Sequence, residues 1–295
     1  MNGPAVTWLA DRRRLHMNHG PIDLIVEAFG AEVERQAAYT QAANRFGTVL
    51  EELVTELPLL RQPVSEASRT LRFSTARRME EAARSHAPTF VTPMAAVAGG
   101  VADEMLTALV AGRRLRRAYV NNGGDVALYL APGEHMDAAI AGTGHGFADH
   151  LAISAEDSVR GIATSGWRGR SHSLGIADAV TVLAENAAQA DVAATLIANV
   201  VDLPGHPGIA RVPASQIDPD SDLGDRLVTQ DVGPFSDVEV AAALERGLAT
   251  ANAMAERGLI HSAALFLRGE SRICGPLAAA GGSAYKLSWR TVCHV

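Results

Sequence analysis

Hydrophobic and polar residues alternate along some short stretches of the chain and recur every three to four positions along others. Alternation is typical of half-buried strands, and the longer period is typical of amphipathic helices. Residues 21–29 alternate in part and predict a strand, with residues 14–18 as its hairpin partner and Asn18-His19-Gly20 as the turn. Residues 31–57 follow the helical period, and Pro58 and Pro63 are expected to end that helix.

The rest of the chain continues to mix the two patterns. Further helices are predicted over residues 71–84, 95–110, 187–200 and 237–257. Further strands are predicted over residues 118–120, 126–130, 136–141, 158–163, 179–183 and 261–267, and those between 118 and 163 indicate an antiparallel meander.

Two regions lack such periodicity. Residues 203–233 are rich in Pro, Gly, Asp and Ser and predict a long irregular excursion. Residues 275–295 are too weakly periodic to assign a structure. No repeat or linker divides the chain, so we expect one α+β domain over residues 1–295, in which an antiparallel sheet meander packs with helices.

Composition narrows the class of protein. The chain has 295 residues, 47% of them hydrophobic and 20% charged, which is typical of a globular domain. Its net charge of −7 and its lack of a basic stripe with interleaved aromatics argue against nucleic-acid binding. Cys274 and Cys293 lack the spacing of a zinc site. No signal-peptide pattern begins the chain and no apolar run approaches roughly 20 residues, so we expect a cytoplasmic protein outside the membrane.

The first segment that could carry chemistry is Asn121-Asn122-Gly123-Gly124-Asp125, between two predicted strands. Adjacent glycines permit positive φ and leave backbone N–H groups uncovered, so a phosphate or a planar ligand can approach closely. The same residues form one of the strongest sequence signals for a β-hairpin turn, and taken alone the hairpin interpretation is the better one.

Two further segments follow. Thr164-Ser165-Gly166 is a hydroxyl-rich glycine turn after a predicted strand; its hydroxyls either bind phosphate oxygens or satisfy their own turn. His172 follows six residues later, and a histidine beside such a loop is a candidate acid, base or phosphate contact. Most histidines in a chain with ten of them are nevertheless structural or exposed.

The last segment lies on the predicted helix 187–200. Asp191 and Thr195 are four residues apart, so their side chains share one face. A carboxylate and a hydroxyl form a hard oxygen pair that suits Mg²⁺. The alternative, which spacing alone favours, is that Thr195 bonds back to the Asp191 carbonyl.

In order and spacing these segments resemble the ApbE family, the FAD-dependent flavin transferases. That family carries V-D-x-G-x-x-A-K-G-x-x-x-D, then N-x-G-G-D, T-S-G, R-x-S-H and A-D-x-x-A-T. The corresponding segments of this chain begin at Val91, Asn121, Thr164, Arg170 and Ala190, so the match covers about residues 90–200.

The resemblance implies an α+β fold that binds FAD, with a divalent metal, Mg²⁺, beside the pyrophosphate. It implies Asp191, Thr195 and the backbone carbonyl near Val97 as metal ligands, and His172 as the catalytic residue. It also implies cofactor contacts from Gly99, Asn122, Gly123, Gly124, Asp125, Thr164, Ser165 and Gly166.

The chain departs from the family pattern at several positions. Ala98 stands where the family has a lysine, and Thr92 where it has an acid. Three hypotheses stay open. The chain is a metal-assisted phosphotransferase or pyrophosphatase acting on FAD, or it is a non-catalytic flavin or nucleotide binder, or an ApbE-like scaffold for another small molecule. The apolar surplus of helices 187–200 and 237–257 suits either core packing or a homodimer interface.

Overall fold

The structure is a computed structural model that describes residues 3–139 and 150–275. The helices are α1 Glu32–Leu60, α2 Ser74–Arg84, α3 Val97–Val110, α4 Ala187–Val200, α5 Ala214–Ile217 and α6 Asp237–Glu256. The strands are β1 Ala5–Trp8, β2 Leu15–His19, β3 Ile22–Gly30, β4 Leu115–Asn122, β5 Asp125–Leu130, β6 His135–Ala139, β7 His150–Ser154, β8 Gly161–Ser165, β9 Ala179–Ala184, β10 Ile209–Pro213, β11 Leu227–Val232, β12 Ser262–Leu267 and β13 Glu270–Cys274. The predicted α+β class with an antiparallel sheet is confirmed.

The chain divides into two compact units. The first comprises Met1–His135, Ser154–Ala163 and Ala184–Val192, and the second comprises Met136–Ile153, Thr164–Leu183 and Ala193–Val295. Both units are discontinuous in sequence.

The first unit is built on antiparallel strands in the order β1-β2-β3-β4-β5, and the start of β8 pairs with β5. Side chains over residues 22–26 of β3 alternate between buried and partly exposed, as expected of a strand with one covered face. Leu24 and Val26 are buried on that face. Phe46 of α1 and Met105 of α3 are also buried in the core. Helix α3 packs on β4 and β5 and on α1.

Helix α3 is the most apolar helix of this unit. With the short 3-10 turn before it, the segment Pro93–Val110 is long and apolar enough by composition to cross a membrane, although 61% of it is buried inside the protein. That degree of burial is typical of a core helix.

The second unit contains the antiparallel strands β9-β12-β13, with α6 packed on β12 and β13. Every residue of β9 and β12 is buried, which explains why their sequences are apolar apart from Thr181 and Ser262. Helix α6 begins at a capping box in which Ser236 and Glu239 satisfy each other's backbone N–H groups.

Several predicted elements need correction. Pro58 does not end α1: it lies inside the helix, which continues to the buried Leu60, and the Arg61 N–H still bonds to the Leu57 carbonyl. A proline inside a helix lacks the N–H donor and its ring crowds the carbonyl four residues earlier, and burial of Leu60 in the last turn offsets this cost. The first hairpin turns at Gly20 rather than over residues 18–20, because His19 still pairs with Ile22.

The predicted irregular excursion over residues 203–233 is also wrong in part, since β10 and β11 form an antiparallel pair within it. The strand predicted over residues 136–141 pairs with β7 instead of joining the meander, and its last two residues lie outside the described residues. The unassigned tail lies outside them too, from residue 276 on. Strands β1, β7 and β13 were not predicted.

Candidate functional site

Helix α3 and the first residues of α4, which belong to the first unit, cap each other's N-termini. Asp191 of α4 accepts a hydrogen bond from the Gly99 N–H in the first turn of α3, at 2.9 Å from Oδ2. Asp103 of α3 accepts from the N–H groups of Ala187 and Ala188 at the start of α4, at 3.0 and 2.9 Å. A carboxylate suits the positive end of a helix, so each helix holds the other in place.

Gly99 makes this arrangement sterically possible. A Cβ at this position would lie 2.2 Å from the Ala187 carbonyl oxygen, far inside van der Waals contact with backbone that cannot rotate away. Gly161 has the same role at the start of β8, where a Cβ would lie 2.0 Å from the Asn186 carbonyl carbon. Gly99 is therefore required for close helix packing, and its predicted contact with a nucleotide stays a prediction.

The carboxylate of Asp191 has an unusual electrostatic environment. Burial raises its pKa well above the ordinary value of 3.8, and the negative charge of Asp125 raises it further, while the N–H groups of Gly99 and Ala98 lower it. Burial also raises the pKa of Asp103 to about 6, against the two α4 N–H groups that lower it. Acidic groups thus converge where α3 and α4 meet, and their repulsion has to be offset when they ionise.

The hairpin between β4 and β5 carries four of the predicted cofactor contacts. Asn122 pairs with Asp125, and Gly123 and Gly124 form the two-residue turn with φ of +65° and +118°. The Gly124 N–H donates to the Asn121 Oδ1 at 2.9 Å, so this donor is used inside the turn. The hairpin interpretation is confirmed.

Asn122 connects this hairpin to α3. Its Nδ2 donates to the Ala98 carbonyl at 3.1 Å, in the helical turn whose N–H groups face Asp191. The first unit therefore brings Gly99, Asn122, Asp125 and Asp191 into one neighbourhood. Val97, the predicted carbonyl ligand, is the first residue of the same helix.

This group of residues fits a magnesium ion by its chemistry. Mg²⁺ prefers oxygen ligands and is commonly held by one or two carboxylates, with phosphates and waters completing the octahedron. Asp125 and Asp191 provide two such carboxylates. Within residues 3–139 and 150–275, no three His, Cys, Asp or Glu side chains are grouped so that they could hold a metal ion by themselves.

The other predicted site residues belong to the second unit. Thr164 Oγ1 lies 2.9 Å from Thr181 Oγ1, so this hydroxyl already has a protein partner. Gly166 lets the chain approach the Asp178 carbonyl oxygen, which a Cβ would meet at 2.5 Å. Ser165 ends β8, and His172 is half-buried in the loop that follows. Thr195 lies one turn beyond Asp191 on α4.

The sequence argument missed the capping role of Asp103. Its signal was present, because Asp103 lies one helical turn after Gly99 and closes the first motif quoted above. A second missed signal is Asn186, whose Oδ1 accepts from the Gln189 N–H at 2.9 Å. An Asn followed three residues later by Gln before an apolar run indicates a helix start.

A cavity of about 230 Å³ lies beside this helix start, on the Asp103 side. Its lining includes Arg78, Glu81, Asp103, Glu185 and Gln189. None of the predicted cofactor or metal ligands lines it, so it is separate from the Asp125–Asp191 neighbourhood.

Comparison with known proteins agrees with the motif resemblance. The family model described as AbpE bacteria matches residues 6–273. A UPF0280 protein of Methanothermobacter thermautotrophicus is 33% identical over 172 residues, 56% of this chain and 58% of the relative. A UPF0280 protein of Methanopyrus kandleri is 37% identical over 117 residues, 40% of this chain and 46% of the relative. The chain thus spans about half the length of the curated relatives it matches. The apo crystal structure of the Pseudomonas stutzeri flavinyl transferase ApbE is similar with a TM-score of 0.42 and 13% identity, over 95% of this chain and 98% of that one.

Proposed function

Because the chain belongs to the AbpE bacteria family, within the ApbE-like superfamily, we propose that it binds a flavin nucleotide, FAD, in a Mg²⁺-dependent manner. The proposal joins the motif order of the sequence to the acidic neighbourhood of the first unit.

The observation that carries the proposal is that two carboxylates, those of Asp125 and Asp191, lie near the start of α3, where the backbone N–H groups already bond to Asp191. The N–H groups of Ala98 and Gly99 face the Asp191 carboxylate, so they are not free to receive a phosphate. Two carboxylates repel a pyrophosphate, and a divalent cation between them reverses that repulsion. A nucleotide bound here therefore requires a metal.

Asp191 and Asp125 would hold the Mg²⁺, with Thr195 and the Val97 carbonyl as the further ligands that the family resemblance implies. When bound, the ion would neutralise pyrophosphate charge and make the phosphorus more open to attack. The chain's own contribution is to keep Asp191 oriented through the Gly99 N–H and to fix the β4–β5 hairpin through Asn122.

The proposal extends from FAD binding to catalysis of a reaction on FAD. His172 would move a proton during phosphoryl transfer or pyrophosphate hydrolysis, which makes the chain a transferase or a pyrophosphatase acting on FAD. This role rests on the position of His172 in the R-x-S-H segment.

A second candidate function is binding without turnover. It is favoured by Ala98, whose methyl group stands where the family motif has a lysine ammonium. Loss of that cation removes charge stabilisation that phosphoryl transfer uses in its transition state.

The experiment is FAD titration by flavin fluorescence quenching, in Mg²⁺ and in excess EDTA, on the wild-type chain and on Asp191→Asn. Asn keeps an oxygen that can accept from the Gly99 N–H but loses the charge. Asp103→Asn is the matched control, because it changes the reciprocal cap of the same helix pair. We expect the wild-type chain to bind FAD saturably in Mg²⁺ and not in EDTA. Asp103→Asn should keep this binding, and Asp191→Asn should lose it.

The outcomes separate cleanly. Equal loss of binding in both variants would mean that helix packing, and not the metal, is responsible. Absence of FAD binding by the wild-type chain in the Mg²⁺ buffer as well as in EDTA would refute the proposed function. Release of FMN during long incubation, abolished by His172→Ala, would decide between turnover and binding alone.

A further inference from the structure

Strand β1 ends the sheet of the first unit and has one unpaired edge. It pairs with β2 on one side, and in the described part of the chain no strand pairs with its other side. The Leu9 N–H bonds to the Arg14 carbonyl, just beyond the last pair of the β1–β2 ladder. Because backbone groups alternate in direction along a strand, Thr7 bonds to β2, whereas Val6 and Trp8 point their N–H and C=O groups outwards.

This edge is open and carries apolar side chains. All of β1 is exposed, Val6 by 39% and Trp8 by 45%. Such edges invite pairing with another chain, and proteins commonly protect them with a charged residue, a proline or a bulge. The segment Ala5–Trp8 contains no charge and no proline, and its pairing with β2 has no register shift. Its shortness limits a partner to a short extended segment.

The loop between β1 and β2 carries three arginines in a row and is held in one conformation. The Asp11 Oδ1 accepts from the Arg13 N–H at 2.9 Å. The Arg13 carbonyl accepts from the Tyr39 hydroxyl at 2.6 Å, and Tyr39 is itself buried. The backbone of Arg12 has a left-handed φ of +52° in this turn. Because these bonds order the loop in advance, a partner loses little free energy in fixing it.

Positive charge gathers at this end of the sheet. Arg12 is exposed and has no carboxylate partner in the described part of the chain. Arg13 lies 3.0 Å from Glu27, yet 60% of its side chain is exposed. Arg13 and Arg117 both lie over the Phe29 ring, at 5.9 and 4.4 Å from its centroid, so the two arginine runs of the sequence meet here. Guanidinium groups form charge-assisted hydrogen bonds with carboxylates, so this end of the sheet favours an acidic partner.

We propose that β1 binds an extended acidic segment of a partner protein as an added antiparallel strand, with carboxylates of that segment on Arg12 and Arg13. Main-chain hydrogen bonds to Val6 and Trp8 hold the segment, and the arginines select its charge. A second copy of this chain fits poorly, because residues 1–10 contain no acidic residue to meet the arginines. A nucleic acid lacks the alternating N–H and C=O groups of a strand. The inference does not depend on flavin binding.

The test is an NMR titration of the 15N-labelled full chain with two short peptides. One is Glu-Glu-Glu-Thr-Val-Thr-Val-Thr, whose amino end reaches the arginine loop in an antiparallel arrangement, and the other has lysines in place of the glutamates. We expect the amide resonances of Val6 and Trp8 to shift more than that of Thr7, because only outward N–H groups gain an acceptor. The lysine peptide should bind about tenfold more weakly or worse, and salt should weaken the glutamate peptide.

Matched variants separate strand addition from charge. Val6→Pro removes an outward N–H that β2 does not use and should abolish binding, whereas Val6→Thr keeps that N–H and should bind normally. Arg12→Glu should weaken the glutamate peptide about fivefold. Arg72→Glu, at an exposed arginine before α2, makes the same change of net charge and should leave binding unchanged. Circular dichroism checks that each variant is folded.

Several results would overturn the inference while leaving FAD binding intact. These are absence of binding by the glutamate peptide, equal binding of the two peptides, equal effects of Val6→Pro and Val6→Thr, or equal shifts of Val6 and Thr7. A dimer in sedimentation that Val6→Pro dissociates would also overturn it, because a second copy would then occupy the edge. So would a single-stranded oligonucleotide that binds more tightly than the glutamate peptide.

Discussion

Replacement of Gly99 by alanine tests the reciprocal capping of α3 and α4 most directly. The new Cβ would lie 2.2 Å from the Ala187 carbonyl oxygen and 2.8 Å from the Ala188 nitrogen, so the two helices have to separate. Overpacking of this kind costs about 1–3 kcal/mol. Separation also weakens the charge-assisted bonds of Asp191 and Asp103, which contribute about 1.5–3 kcal/mol. Alanine returns about 1 kcal/mol of helix propensity.

The net expectation for Gly99→Ala is a loss of about 2–5 kcal/mol in the free energy of unfolding. Urea unfolding followed by circular dichroism measures it as a lower midpoint. Two glycines in helices of the same unit serve as controls. A Cβ at Gly47 meets nothing within 4 Å, so Gly47→Ala should be neutral or stabilising by up to about 1 kcal/mol. At Gly100 the one close contact is the flexible Met79 side chain at 2.8 Å, and the Thr75 carbonyl oxygen lies at an ordinary 3.9 Å, so an intermediate loss is expected.

The ranking of the three variants carries the argument. A Gly99→Ala chain as stable as Gly47→Ala would refute the reasoning, because it would mean that α3 and α4 separate without cost.

Three further predictions follow from the same structure. The raised pKa of Asp103, about 6 against an ordinary 3.8, means that the folded state binds the proton more tightly than the unfolded state does. The free energy of unfolding should therefore fall by up to about 3 kcal/mol as pH rises from about 4 to 6, and then level off. Urea titrations at each pH measure this slope, which should be absent from Asp103→Asn. The raised pKa of Asp191 in the metal-free chain means that protons compete with Mg²⁺ for its carboxylate at a higher pH than at an ordinary Asp. The Mg²⁺ concentration that half-saturates FAD binding should therefore rise on acidification at pH values above 3.8, and a concentration that stays constant down to that pH would contradict the assignment. Ser236→Ala removes the capping box of α6 and should cost about 1 kcal/mol, seen as a lower thermal midpoint; an unchanged midpoint would show that Glu239 holds the helix start alone.

Much of the local structure was readable from the sequence. Helix α4 has the predicted bounds of residues 187 and 200, because small and apolar residues predominate in it and a capping Asn186 precedes it. The β4–β5 hairpin was likewise indicated by its two glycines. Both features depend on residues that are close in sequence, and such features are what local patterns encode.

The β10–β11 pair was missed for a physical reason. The composition of this segment favours loops, and its strands are held by hydrogen bonds to residues that are far away in the sequence. The Thr229 N–H donates to the Ser173 carbonyl, and the Thr229 hydroxyl donates to the Gly175 carbonyl. Tertiary hydrogen bonds of this kind override local propensity.

The sequence by itself determined the elements of the chain, the antiparallel α+β class and the order of motifs that indicated the family. Only the tertiary structure decided that Asp191 faces Gly99, 92 positions away in the chain, and that Asp103 returns the same contact to α4. Periodicity states which face of a helix is buried but not which helix will cover it. The close approach of α3 and α4, and the acidity that it concentrates around Asp191, arise from that choice of partner.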